Sequence, residues 1–307
     1  MRSRLSSSTS KSRALSGGQW FVLVAAVLWG TTGTAQALAP LEARPAAIGA
    51  VRLAIGGIAL LLVAYLRGAL GKGMRWPKLQ TGLAAASMAA YQPLFFAGVA
   101  RTGVAVGTVV AIGSAPILAG ALGYIFRKEE PGPKWIWSTS LAIAGCALML
   151  LPAGNVQVDD TGLLMALGAG ASYAIYAVAS KGLLEDKPAD AVVAVVFCIG
   201  GLVLLPLLFT ANLRWLFQPR GLGVALHLGL VATAAAYLLF ARGLMLIPVA
   251  SAVTFSLAEP LTAGILGVIV LGEKFTLAMS LGVVLVFSGL VLLSINRRIM
   301  GPPAGPS

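Results

Sequence analysis

APILAGALGYIFRKE at residues 115–129 and EPLTAGILGVIVLGE at residues 259–273 are two versions of one apolar segment, 144 residues apart in the chain. They share a proline, an Ala-Gly pair, a Leu-Gly pair, an isoleucine and a final glutamate in the same register. Segments rich in Leu, Ala and Gly often match by chance, but a proline and a glutamate seldom recur together at fixed spacing. The pair therefore indicates an internal repeat.

The same shift extends over most of the chain without a gap. It aligns Gly56-Gly57 with Gly200-Gly201, Phe96-Ala97 with Phe240-Ala241, and Gly145 with Gly289. Trp29 falls opposite Tyr173, so the first apolar segments of the two copies also correspond. We therefore expect one structural unit to occur twice.

The composition is that of a membrane protein. Hydrophobic residues make up 58% of the 307 residues, charged residues only 10%, and the mean hydropathy is +0.92. A soluble domain carries about 25% charged residues, whereas a membrane-spanning helix needs about 20 apolar ones. A β-barrel does not fit, because its spans are about 10 residues long and alternate in polarity. The apolar runs predict ten helical spans, at 19–39, 45–66, 79–100, 103–126, 134–152, 161–183, 189–210, 221–241, 248–271 and 275–295.

Five spans per copy is an odd number, so the second copy must cross the membrane in the opposite sense to the first. The predicted organisation is a basic N-terminal segment at 1–18, repeats at 19–152 and 161–295, and a tail at 296–307. Inverted repeats related by a pseudo-two-fold axis recur in secondary transporters, where the two halves alternate access to a central site.

The net charge of +12 is read as a topology signal rather than as a nucleic-acid surface, because the basic residues lie between the apolar runs. With the N-terminus in the cytoplasm, sixteen Lys and Arg residues fall on the cytoplasmic side and five on the other, with Arg52 inside a span. This asymmetry predicts that both termini are cytoplasmic and that the protein lies in the cell inner membrane.

Two local features have simpler interpretations than their appearance suggests. Ala37-Leu38-Ala39 imitates a signal-peptidase site, but the preceding run is long for a signal peptide and has a counterpart in the second copy. We interpret it as a retained first helix. Cys146 and Cys198 both lie in apolar runs without metal-ligand spacing, and the sequence predicts neither a metal nor another cofactor.

These features resemble the drug/metabolite transporter superfamily, in particular its EamA-type ten-helix branch. The resemblance rests on Leu28-Trp29-Gly30, Arg52, Pro116 with Glu129, Glu259-Pro260 and Leu271-Gly272-Glu273, and it covers about Trp20 to Ile295. It implies a carrier without ATP-binding machinery, often an exporter of amino acids or other metabolites, with a central cavity. Within the branch the chain looks most like a YddG-type exporter of aromatic amino acids.

Glu259 and Arg52 are the two charges predicted to lie within spans. A charge at that depth costs at least a few kcal/mol, so each is expected to face a cavity or a partner. Glu259 is interpreted as a proton carrier or as the partner of a substrate ammonium, or else as a hydrogen-bond partner of backbone freed by Pro260. Arg52 is interpreted as a ligand of a substrate carboxylate, or as a side chain that reaches outward or holds a helix end.

Other residues within the spans suit an apolar solute with a polar end. The predicted substrate-binding set combines aromatic, neutral polar and charged side chains. It consists of Trp29, Gln36, Arg52, Tyr91, Gln92, Ser114, Tyr173, Tyr176, Tyr237, Phe255 and Glu259, with Thr32 and His227 as further candidates. The competing interpretation is that most of the aromatic residues only pack, and that His227 is a hydrogen-bonded core residue.

Four further residues are symmetric under the repeat. Pro116 and Pro260 each remove a helix hydrogen bond and are predicted to be hinges, or else static kinks. Glu129 and Glu273 are interpreted as matching gates or, by preference, as caps of the helix that follows each of them.

Glycines in the fifth and tenth spans, Gly145 and Gly289, allow helix association, and on this basis a homodimer is considered. The Pro/Gly-rich tail after Gly301 is expected to be disordered.

Two other classes of protein were weighed. An intramembrane enzyme needs clustered Asp, His or Ser side chains, and this chain has one histidine and no Walker motif. An enzyme is therefore not expected. A passive channel, or a carrier for a sugar, a nucleotide derivative or a cationic drug, stays open as an alternative to an amino-acid carrier.

Overall fold

The computed structural model describes residues 2–71, 73–150 and 159–295, and it is all-helical over them. Ten helices cross the molecule. We number them α1 (Arg2–Ala37, with its apolar part at Gly17–Ala37), α2 (Pro45–Leu66), α3 (Lys78–Thr102), α4 (Val104–Arg127), α5 (Pro133–Met149), α6 (Asp160–Leu183), α7 (Ala189–Thr210), α8 (Pro219–Leu246), α9 (Val249–Leu271) and α10 (Leu277–Ser294). A short 3-10 turn, Arg214–Phe217, precedes α8.

The helices confirm the predicted all-helical membrane fold. Nine of those that the structure describes are at least 18 residues long and apolar enough to span a membrane. The remaining helix, α5, has 17 residues and ends just before residues 151–158, which lie outside the described part. A span of 17 residues is at the short end of what the hydrocarbon core requires. The predicted tail at 296–307 also lies outside the described residues.

Tight turns join α3 to α4 and end α9. A single residue, Gly103 with φ 82°, connects α3 to α4, and Gly272 with φ 71° closes the C-terminus of α9. This left-handed conformation is accessible to glycine at little cost. The equivalent residue at the end of α4 is Lys128, which adopts φ 54° despite its side chain. The residues that follow, Glu129 and Glu273, form equivalent hydrogen bonds at the two helix ends: Glu129 N donates to Gly123 O, and Glu273 N donates to Gly267 O.

The helix packing has the symmetry that an inverted repeat requires. Contacts of α3 with α6 and of α4 with α6 are mirrored by contacts of α8 and α9 with α1. Two helices pack against their own repeat partners, α2 against α7 and α5 against α10. The two five-helix halves are therefore interleaved about a pseudo-two-fold axis rather than set side by side.

Glycines hold α5 and α10 together within one chain. A Cβ on Gly145 would lie 2.6 Å from Gly282 O, and one on Gly289 would lie 2.6 Å from Ser138 O. The prediction that these glycines serve association between molecules is therefore wrong, because the intramolecular contact occupies them. The homodimer remains a prediction without that support.

Two stretches depart from a regular α-helix, both in the second half. His227–Ala235 of α8 is a π-helix, and Ser256–Ala258 of α9 is a 3-10 turn. A π-helix accommodates extra residues and a 3-10 turn has fewer per turn, and such irregularities often mark functional sites.

The expected gapless register therefore fails locally. Gly98 approaches Gly162 O as Gly243 approaches Gly18 O, so Gly18 and Gly162 differ by 144 residues but Gly98 and Gly243 by 145. The π-helix supplies the additional residue. The shift is 144 again at Gly123 and Gly267, beyond the 3-10 turn.

Candidate functional site

Nine aromatic rings form a connected cluster in the middle of the bundle, hereafter the aromatic cluster. The centroids of adjacent rings are 4.5 to 6.4 Å apart, within the range of favourable aromatic contacts. Both halves contribute. The members are Trp29 of α1, Tyr91, Phe95 and Phe96 of α3, Tyr173 and Tyr176 of α6, Phe197 of α7, and Tyr237 and Phe240 of α8.

Glu259 lies beside this cluster, at the start of the last segment of α9. Its electrostatic neighbours are Arg52 of α2, Tyr91 of α3 and Tyr237 of α8. Because these groups come from three other helices, the half-buried Glu259 side chain faces the interior of the bundle and not lipid.

Arg52 is buried, with a relative exposure of 6%, and it is fixed by α8. Its Nε donates to Thr233 Oγ1 at 3.1 Å, and that hydroxyl donates to Leu228 O at 2.8 Å, within the π-helix. A Cβ on Gly56 would lie 2.5 Å from Thr233 Cγ2, so the glycine one turn after Arg52 lets α8 approach closely. Arg52 also interacts electrostatically with Glu259, but no salt bridge joins the two side chains, so their direct pairing across the halves stays a prediction.

Leu28-Trp29-Gly30 brings α1 to the same place. A Cβ on Gly30 would lie 2.7 Å from Glu259 O and 2.5 Å from Thr262 Cβ, so α1 and α9 touch where the last segment of α9 begins. Trp29, the preceding residue, packs its ring on Tyr237 at 4.8 Å and on Phe240 at 5.4 Å. Gly30 therefore allows α1 to approach α9 closely, and Trp29 contributes its ring to the aromatic cluster.

The structure brings together seven of the eleven predicted substrate-binding residues. Five belong to the aromatic cluster, and Arg52 and Glu259 lie next to it. The other four lie elsewhere. Gln36 is half-buried two turns beyond Trp29 on α1, Gln92 is buried against Gly49, Ser114 donates to Ala111 O next to Gly170, and Phe255 is buried in the hydrophobic core.

The two further candidates lie on α1 and α8. Thr32 is half-buried on α1. His227 Nε2 lies 2.8 Å from Thr31 Oγ1, which donates to Leu28 O at 2.6 Å. Because the threonine proton is used in that second bond, His227 Nε2 acts as the donor, as expected for a hydrogen-bonded packing residue.

The two symmetric prolines occupy different local structures. Pro116 is buried inside the unbroken helix α4. Pro260 is in the first turn of the segment Glu259–Leu271, directly after the 3-10 turn, where a missing N–H costs little. The helix is therefore interrupted at only one of the two prolines, and the hinge role stays a prediction for both.

A network of polar contacts closes one end of the bundle, where α4, α6 and α8 end and α9 begins. Glu129 Oε2 accepts from Val249 N at 2.7 Å, and Glu129 Oε1 lies 3.5 Å from Arg127 Nε. Arg127 also pairs with Glu185. Lys181 Nζ donates to the carbonyl oxygens of Leu244, Met245 and Ile247. We call this network, which joins α4 of the first half to α6, α8 and α9 of the second, the clasp.

The clasp corrects the expectation that each glutamate caps the helix after it. Glu129 caps α9, because the chain reverses at Lys128 and turns the carboxylate towards Val249. The helix after Glu273, α10, is capped by Thr276, whose Oγ1 accepts from Met279 N at 3.1 Å. Glu129 is half-buried and Glu273 is exposed, so the two ends of the bundle differ.

Sequence reasoning missed five residues of the site: Phe95, Phe96, Phe197, Phe240 and Thr233. The Phe-Ala pair shared by α3 and α8 was a signal for Phe240. Thr233 had no signal, because its approach to Arg52 depends on how α2 packs against α8. Among the described residues, no group of three or more His, Cys, Asp or Glu side chains is placed to hold a metal ion.

Two consecutive parts of the chain match the EamA-like transporter family, residues 16–151 and residues 160–295. The chain belongs to this family. The starts of the two matches, 16 and 160, and their ends, 151 and 295, are both separated by 144 residues, which is the shift of the repeat.

Relatives of the chain include transporters from bacteria. The uncharacterized transporter YwfM of Bacillus subtilis is 52% identical over 91% of this chain and 94% of its own length. The threonine/homoserine exporter RhtA of Escherichia coli is 33% identical over 82% of each chain. A solved crystal structure covers 90% of this chain and 95% of its own with a TM-score of 0.78, and at 20% identity this similarity shows the fold alone. The protein is thus a multi-span membrane protein of a transporter family.

Proposed function

We propose that this EamA-family protein is a secondary transporter, independent of ATP, that exports amino acids by alternating access between its two halves. It lies in the cell inner membrane with both termini in the cytoplasm. The observation that carries this proposal is the aromatic cluster, which is built from both halves and lies beside one buried arginine and one half-buried glutamate.

The chemistry of the site fits a zwitterion with an apolar side chain. Glu259 attracts an ammonium group, Arg52 supplies positive potential for a carboxylate, and the rings of the aromatic cluster pack against hydrocarbon or aromatic carbon. Charges inside a membrane protein are costly and are kept where they bind or carry something. Both charges are near the pseudo-two-fold axis, where the substrate sites of inverted-repeat carriers lie.

Two kinds of amino acid are candidates within this class. The aromatic cluster favours aromatic or other apolar amino acids, as the YddG-type resemblance implies. RhtA, whose name states export of threonine and homoserine, favours small polar ones at 33% identity. The rings lie side by side at 4.5 to 6.4 Å, so a large substrate requires them to separate, whereas a small one fits beside Glu259 with less movement.

Alternating access requires that contacts at one end break while contacts at the other form. The clasp joins the two halves at the end that we propose is cytoplasmic. Opening that end separates Glu129 from Val249 and Lys181 from the carbonyl groups at the end of α8. The exposed Glu273 is the symmetry equivalent of Glu129 at the other end. We therefore propose that the structure represents the form closed towards the cytoplasm.

Uptake into liposomes that hold the purified protein tests the substrate class. The panel contains labelled phenylalanine, tryptophan, threonine, homoserine and a sugar, and empty liposomes are the control. Saturable uptake of one or more amino acids, but not of the sugar, is expected. Uptake of none of the amino acids would remove the amino-acid assignment and leave the family and the fold intact.

A further inference from the structure

The residue pair at the centre of the aromatic cluster is related by the repeat itself. Trp29 and Tyr173 are 144 residues apart in the sequence, and their rings meet edge to face with centroids 6.2 Å apart and planes at 87°. A residue in contact with its own symmetry equivalent must lie on the pseudo-two-fold axis. The pair therefore marks the point where the two halves meet in the middle of the bundle.

Both members carry a buried polar atom that has no hydrogen-bond partner among the described residues, Trp29 Nε1 and Tyr173 Oη. Ser256 lies near the Tyr173 hydroxyl but makes no hydrogen bond to it, and it donates its own proton to Val253 O at 2.6 Å. A buried donor that makes no hydrogen bond costs free energy in the folded state. A protein that keeps two such donors on adjacent rings at its axis is expected to use them to bind a group that is present only part of the time.

The surroundings distinguish this pair from an ordinary packing defect. Trp215 also has an unpartnered indole nitrogen, but it is fully buried in a separate apolar cluster with Ile48 and Leu228. Trp29, in contrast, precedes the glycine that touches Glu259 O, and Tyr173 interacts electrostatically with the Glu259 side chain. A group that attracts an ammonium and two donors that suit a carboxylate thus lie within one site.

We infer that Trp29 Nε1–H and Tyr173 Oη–H are the hydrogen-bond donors for the substrate carboxylate, and that they select free amino acids over the corresponding amides. The inference rests on the proposed amino-acid transport and adds the groups that recognise the carboxylate. One donor comes from each half, so the carboxylate bridges the halves when it is bound. Hydrogen bonds to a charged acceptor are stronger than those to a neutral one, which gives preference for the carboxylate over an amide.

Substitutions that keep the rings and remove the donors test this inference. Trp29→Phe and Tyr173→Phe are compared with the wild type for inhibition of labelled phenylalanine and threonine uptake by unlabelled amino acid and by its amide. Trp215→Phe is the matched control, because its indole nitrogen is also buried without a partner but lies in the separate apolar cluster.

The wild type and Trp215→Phe should favour the acid over the amide. Each of the other two variants should reduce that preference by about fivefold, because a hydrogen bond to a charged acceptor is stronger than one to a neutral acceptor by about 1 kcal/mol. An unchanged preference in both variants, with uptake intact, would overturn the inference and leave amino-acid transport standing. Absence of uptake in the wild type would overturn the proposed function and this inference with it. Thermal denaturation in detergent identifies a variant that has failed to fold, and the other of the two variants then decides the test. Trp29→Tyr, which keeps a ring and a donor, should retain the preference.

Discussion

Removal of the Glu129 carboxylate should open the end of the bundle that carries the clasp. The carboxylate accepts the N–H of Val249 at 2.7 Å at the start of α9 and lies 3.5 Å from Arg127. A hydrogen bond to a charged group contributes about 1.5–3 kcal/mol, and the interaction with a helix N-terminus acts in the same direction. Since 1.4 kcal/mol is a factor of ten, Glu129→Ala should raise the population of the open form about 10- to 150-fold.

Cysteine labelling measures this population. Ala250 is 4% exposed in the first turn of α9, directly behind the clasp, so Ala250→Cys should react slowly with a maleimide while this end is closed. The measurement uses purified protein in which Cys146 and Cys198 are replaced by Ala. Glu129→Ala in this background should increase the labelling rate within the stated range.

Glu273 provides the matched control, because it is the repeat equivalent of Glu129 and is exposed at the opposite end. Glu273→Ala should leave the labelling of Ala250→Cys unchanged. The reasoning is refuted if Glu129→Ala labels no faster than its parent, or if Glu273→Ala accelerates labelling to the same extent.

Three other predictions concern packing and charge. Gly145→Ala places a Cβ 2.6 Å from Gly282 O and should destabilise the protein by about 1–3 kcal/mol, which a lower denaturation midpoint in detergent would show. Gly33→Ala, where nothing lies within 4 Å of the new Cβ, should not lower the midpoint. If protons drive transport through Glu259, Glu259→Gln should abolish the dependence of uptake on a pH gradient, whereas Glu130→Gln, at an exposed position, should not; retained dependence in Glu259→Gln would remove it from that role. If Arg52 and Glu259 pair, each single exchange, Arg52→Glu or Glu259→Arg, should lower the yield of folded protein, and the double exchange should restore it. A double exchange that does not restore the yield would count against a direct pair.

Hydropathy and the repeat were sufficient to predict the fold. Apolar runs of span length predicted the number of helices, because the thickness of the membrane sets how many residues a helix needs to cross it. The odd number of helices per copy then predicted that the two copies cross the membrane in opposite senses. The same comparison missed the change of register between Gly98 and Gly243, because it arises from the π-helix in α8. A π-helix has no clear sequence signature, and its extra residue is compensated within the next span.

The site was predicted in part for a related reason. Charges and aromatic residues inside spans are conspicuous in a sequence, and seven of them do come together: five rings of the aromatic cluster, with Arg52 and Glu259 next to it. Spacing along one helix predicts which residues share a face, but it does not predict which neighbouring helix that face meets. Gln92 and Ser114 were therefore assigned to the site although they pack against Gly49 and Gly170, and the contact of Thr233 with Arg52 was not foreseen.

Counterflow tests the central claim, that two inverted halves carry an amino acid by alternating access. Liposomes that hold the purified protein are loaded with an unlabelled amino acid that the protein transports and are diluted into a trace of the same amino acid in labelled form. A carrier should accumulate label transiently above its equilibrium level, because the loaded protein changes state with substrate on both sides. Uptake that rises linearly with concentration and is indifferent to the internal amino acid would indicate a passive channel and contradict the account.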